Sequence, residues 1–145
     1  MRRAPVLAVL FLAGCVRPDM PPAPEEVALD RFEIGERLMA EGRPADAIPE
    51  FEYALQHRWR WKAPYVQLAK CHETLGRDEA AIGALEKLLR MDPNDDDALR
   101  GLGRLYDRRG DPRRALEHYR RLWQRHPEDS ALAGEIARLE AKGKP

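Results

Sequence analysis

Only two cysteines, Cys15 and Cys71, occur in 145 residues, so the chain is not a disulfide-stapled scaffold. Aromatic residues are also few, at 7%, while 34% of the residues are charged, a balance that suits a soluble helical protein. Neither sign of charge is in excess, with 25 basic and 25 acidic residues, and nothing in that total suggests a nucleic-acid partner or a polyacidic tail. The one continuous apolar run, Ala4 to Gly14, is too short to cross a bilayer as a helix, which takes about 20 residues. The chain also lacks a phosphate-binding glycine loop, a nucleophile elbow and a zincin motif. His57, His118 and His126 are scattered and share no face. Cys71 and His72 are adjacent, and neighbours on a helix point in different directions. No residue is therefore assigned to catalysis or to a metal, and no small-molecule substrate is expected.

What is present is a repeat. Gly42, Gly76 and Gly110 recur every 34 residues. With Lys62–Asp95 written above Asp96–Asp129, Leu68 stands over Leu102, Ala69 over Gly103, Ala81 over Ala115, Leu85 over Tyr119, Leu88 over Leu122 and Pro93 over Pro127. Upstream, Ile34, Gly35, Gly42, Ala47, Phe51 and Ala54 fall into the same places, in a more divergent copy. Small residues at Ala69, Gly103, Ala81 and Ala115 let paired helices approach. In the same register Cys71 meets Leu105 and His72 meets Tyr106, which reads as a packed thiol beside a partly buried imidazole. A helix–turn–helix unit of this period resembles the tetratricopeptide repeat, from Ala28 to Asp129. The resemblance implies an all-α, right-handed α-solenoid of about three helix pairs with a C-terminal capping helix.

The N-terminus has its own pattern. Met1-Arg2-Arg3 and the apolar run have the form of a secretory leader. It ends in Leu12-Ala13-Gly14-Cys15, which resembles the lipobox of bacterial lipoproteins. That resemblance implies cleavage before Cys15 and a diacylglycerol on its thiol, a covalent lipid and no other cofactor. Val16 in place of aspartate leans towards the outer membrane. An ordinary signal peptide or an uncleaved anchor, with a chance cysteine, is the alternative. Multiple acyl chains would anchor stably where one binds only reversibly.

Taken in order, residues 1–14 are read as the leader and 15–26 as a lipidated spacer whose prolines favour extended backbone. Residues 27–61, 62–95 and 96–129 are the three repeats, and 130–145 the cap and tail. The helices are expected near Glu26–Glu41, Pro44–Arg58, Ala63–Leu75, Asp78–Met91, Asp96–Arg109, Pro112–Arg125 and Asp129–Lys142. Pro49 predicts a kink or a delayed start in the second helix. Asp78 and Asp111 are expected as helix caps.

In the family, the first helix of each pair lines the concave side. Projecting that register selects Phe32, Glu36 and Met39, then Val66, Lys70 and Glu73, then Arg100, Arg104 and Asp107, with Arg138 on the cap. Such a groove, apolar at one end and basic at the other, suits an extended or helical peptide carrying an acidic group. The carboxylate-clamping set of the co-chaperone members is absent, because its places hold Phe32, Glu36, Gln67, Asp97 and Gly101. The run His57-Arg58-Trp59-Arg60-Trp61-Lys62 is either a turn with one packed tryptophan or a contact edge for a membrane surface or nucleic acid. Together these features predict a membrane-anchored periplasmic scaffold or assembly factor with a protein or peptide partner. The design resembles factors that assemble pilus secretins or outer-membrane barrels. A membrane-contacting protein using Trp59 and Trp61, and a non-catalytic subunit of an envelope enzyme, are the other readings.

Overall fold

The computed structural model describes residues 23–142. Leu12, Ala13, Gly14, Cys15 and most of the spacer lie outside them. Seven helices follow in order: α1 (Pro24–Ala40), α2 (Pro44–His57), α3 (Lys62–Thr74), α4 (Asp78–Met91), α5 (Asp96–Arg108), α6 (Pro112–Trp123) and α7 (Ser130–Lys142). There is no strand among the described residues. Helices pack as the hairpins α1–α2, α3–α4 and α5–α6, and each second helix also packs on the first helix of the next pair. The result is an all-α solenoid whose core runs unbroken from Ala28 to Leu139.

The hairpins close through one backbone device used three times. Gly42, Gly76 and Gly110 have φ of 74°, 69° and 76°, a left-handed conformation that side chains with a Cβ resist. After Gly76, the Arg77 N–H donates to the His72 carbonyl at 2.8 Å and closes the exposed end of α3. Arg43 and Asp111 do the same after the other two glycines. The starts of α5, α6 and α7 are fixed by carboxylates. Asp95, Asp111 and Asp129 accept from the N–H groups of Ala98, Arg114 and Leu132 at 3.0–3.1 Å.

Within each hairpin one small residue faces one large one. A Cβ on Gly35 would stand 2.6 Å from the Phe51 ring, and a Cβ on Gly103 2.4 Å from the Tyr119 ring. The middle hairpin has Ala69 at this place and the smaller Leu85 opposite. The pair keeps its combined size, Gly with an aromatic ring or Ala with leucine. Around it Leu88, Leu99, Leu102, Leu105, Leu122, Leu132 and Leu139 are shut off from solvent. Burial of side chains of this size stabilises by about 1.5–3 kcal/mol each.

Three expectations change. α1 begins at Pro24, inside the stretch read as extended spacer, because a first-turn proline loses no helical hydrogen bond. α2 runs without a break from Pro44 through Pro49, so its start is not delayed. Pro49 and Ala45 are both exposed, so the Ala45 carbonyl left without its helical donor can take water. Asp78 does not cap α4; it is the first helical residue and accepts two bonds from Arg108, at 2.6 and 3.0 Å.

α1 has no repeat before it among the described residues, and its outer side is accordingly polar. Arg37 stands at the repeat position of Cys71 and Leu105, both buried, and is itself exposed.

Candidate functional site

The first helices of the pairs, α1, α3 and α5, together with α7, form one surface because each lies a full repeat beyond the last. Along it the side chains three residues apart on one helix meet those of the next. Arg104 donates to Glu73 through two nitrogens, at 2.8 and 3.3 Å. Arg138 donates to Asp107 at 2.5 Å. Glu73 and Asp107 are one repeat apart, as are Arg104 and Arg138, so these are the same rung built twice. Arg100 donates to Asp129 at 2.9 Å. Hydrogen bonds from Arg138 and Arg100 hold the Asp107 and Asp129 carboxyls below the usual carboxylate range.

These contacts revise the groove. Its arginine end is not a free basic surface, since Arg100, Arg104 and Arg138 are each neutralised by an acid of this chain. Phe32 does not line it. That ring is 8% exposed and packs 5.5 Å from Phe51 and 4.5 Å from Trp61, centroid to centroid. Glu36 is exposed and accepts from Gln67 at 3.2 Å, while Met39 is half-buried, its Sδ 3.1 Å from the Cys71 Sγ. Asp107 sits one rung further on, with Lys142 also 3.6 Å away.

Five of the nine projected residues do come together. Val66, Lys70 and Glu73 from α3 face Arg100 and Arg104 from α5 across a cleft of about 100 Å³. Its floor is Ala69, Leu85 and Gly101, and Asp97 stands on its α5 side. Gly101 occupies the place that Gln67 fills in the previous repeat and Glu135 in the next, and the Leu85 side chain packs into the room this leaves, 2.6 Å from where a Cβ would stand. A helix-interior glycine facing the adjacent repeat was the sequence signal for this close approach. Opposite charges 31 residues apart, read in the 34-residue register, were the signal for the rungs.

At the other exposed edge, Trp61 is the packed tryptophan, lying on Phe32 with the Arg58 guanidinium 4.8 Å from its ring. Trp59 is 60% exposed, with Arg60 over its ring at 4.9 Å. The Tyr65 hydroxyl donates to the Trp59 carbonyl at 3.0 Å and pins the turn.

The thiol and two of the imidazoles among the described residues are packed. Cys71 is fully buried, and burial pushes its thiol up to about 11, far from a reactive thiolate at neutral pH. Burial likewise lowers His72 and His118 below the usual imidazole value. Among the described residues no three His, Cys, Asp or Glu side chains gather as a metal site.

A family model described as tetratricopeptide repeat matches residues 38–106 and 79–139. The chain belongs to the tetratricopeptide repeat family. No curated protein matches it in sequence. Among solved structures, a crystal structure of MamA is similar at a TM-score of 0.72 and 25% identity, over 80% of this chain and 68% of that one. The Yersinia enterocolitica type III secretion chaperone SycD, in complex with a peptide of the translocator YopD, is similar at 0.74 and 11% identity, over 82% and 96% of the chains. The first tetratricopeptide domain of Spaghetti, bound to an HSP90 peptide, is similar at 0.72 and 14% identity, over 81% and 96%. At the latter identities the likeness is one of fold. This tetratricopeptide chain is built as a protein-interaction scaffold, and repeats of this family are in general non-catalytic.

Proposed function

We propose that the protein is a lipid-anchored periplasmic scaffold or assembly factor that offers its α3–α5 cleft to a peptide of a cell-envelope complex, of the pilus-secretin or outer-membrane assembly kind. The single observation that carries the binding half is that cleft, where polar and charged side chains converge over an apolar floor of Ala69, Leu85 and Gly101. Peptides held by SycD and Spaghetti support a peptide as the ligand class. The envelope half rests on Leu12-Ala13-Gly14-Cys15. Anchoring raises the local concentration of the scaffold at the membrane, so modest groove affinity suffices.

The anchoring half is tested by metabolic labelling with a palmitate analogue and membrane fractionation of wild type and Cys15→Ser. Label on the wild type alone, in the outer-membrane fraction, is the expected result. A mature chain that keeps Met1, or unlabelled protein in the soluble fraction, removes the anchor.

A second reading has its own observation. Trp59 is exposed with Arg60 stacked on it, and this edge shares a hollow with Glu25 at the start of α1, the end of the fold to which the spacer attaches. An aromatic-cationic edge at that end supports contact with a membrane surface. Liposome binding by Cys15→Ser protein, lost on Trp59→Ala, would favour it.

A further inference from the structure

The rungs between successive first helices follow one rule, and the rule is broken once. The acidic place is filled by Glu73 and Asp107, and the basic place of the next repeat by Arg104 and Arg138. One repeat earlier the same two places hold Met39 and Lys70. Met39 turns inward to Cys71 and brings no charge. Lys70 is exposed, and its ammonium has no carboxylate partner among the described residues. It is also the one cation of the cleft in this state, because Arg100 and Arg104 are paired. The cleft it borders is floored by Ala69, Leu85 and Gly101, and its whole volume of about 100 Å³ has room for one small aliphatic side chain.

We infer that an acidic side chain of the bound peptide completes the rung at Lys70 while a neighbouring small apolar side chain fills the cleft. The inference rests on the groove reading above and adds the chemistry of the ligand. Neither rung place supplies an acid, since Met39 stands in one and the Glu73 of the other is occupied by Arg104. Asp97 has no ion-pair partner among the described residues and stands one turn before Gly101 on α5, so the acid enters at the Lys70 end and a donor or a cation suits the Asp97 end. Charge complementarity of this kind sets which peptide binds and in which direction more than how tightly.

The test is selection of a random peptide library displayed on phage against the full chain, repeated with Lys70→Glu and Lys70→Gln. Lys70 is exposed and without an ion-pair partner, so both variants should keep the wild-type circular dichroism and melting curve. Wild type should enrich sequences with Asp or Glu beside Val, Ala or Leu. A synthetic peptide from that pool should bind Lys70→Gln about fivefold more weakly, the upper range for an exposed ion pair. Lys70→Glu should select Lys or Arg at the same place. Acidic peptides retained equally by Lys70→Glu, or neutral or basic peptides selected by wild type, would overturn this inference and leave the groove standing. No enrichment at all on wild type would overturn both.

Discussion

Gly103 and Tyr119 show how finely the hairpins are fitted at the level of single atoms. Gly103→Ala places a methyl carbon 2.4 Å from a rigid ring and should destabilise by about 1–3 kcal/mol. Combined with Tyr119→Leu, it recreates the Ala69–Leu85 pair that the middle hairpin already uses. The double variant should be more stable than the sum of the single changes by about 1 kcal/mol or more, read as a coupling in urea melts. His72 and His118 give a second residue-level outcome. Their Nδ1 atoms are buried without hydrogen-bond partners, and burial holds both imidazoles below 6.5. The folded protein therefore binds fewer protons than the unfolded chain as pH falls below 6.5, and stability should decline from there downwards. His118→Phe, which keeps a ring against Tyr106, should flatten the melting temperature between pH 7 and 5. Asp78, Asp107 and Asp129 act in the same direction lower down: their contribution is full above 3.8 and is lost as pH falls through their lowered values.

Helices in this protein are bounded by signals that the sequence states openly and are oriented by signals that it half conceals. The αL glycines recur with the period and aspartates cap the last three helices, and six of the seven helices begin within a residue of where the pattern places them. α1 is the exception, because Pro24 reads equally well as spacer and as first helical turn. Pro49 is a local conflict that the fold tolerates on an exposed face. Pro49→Ala restores one backbone hydrogen bond and should raise stability by about 1–3 kcal/mol in denaturant melts. The groove was legible in part. Register placed Val66, Lys70, Glu73, Arg100 and Arg104 on one cleft, and the 31-residue spacing of opposite charges carried the rungs too, but projecting one face at a time leaves out that Arg104 is spent on Glu73 of the preceding repeat. Nor could it foresee Phe32 turning inward, which depends on Phe51 and Trp61 meeting it from two other helices. Glu73→Gln breaks a rung whose arginine is half in solvent, so the loss should stay below about 1 kcal/mol.

As a whole the described part of the molecule is a short solenoid in which most charge on the surface proposed to face the ligand is satisfied internally, leaving Lys70 as the unpaired cation of a cleft with an apolar floor. The rungs hold adjacent repeats in register, so the cleft is presented in a fixed shape and little ordering is lost on binding. The exposed tryptophan edge lies elsewhere, which makes the two contact surfaces separable by experiment. The most direct measurement is in-cell photocrosslinking with a benzophenone amino acid placed singly at Lys70, at Trp59 and at Arg113 on the exposed face of α6. The account predicts one dominant envelope protein captured from position 70 and not from 59 or 113. Capture from position 59 or 113 alone, or none from position 70, would contradict it.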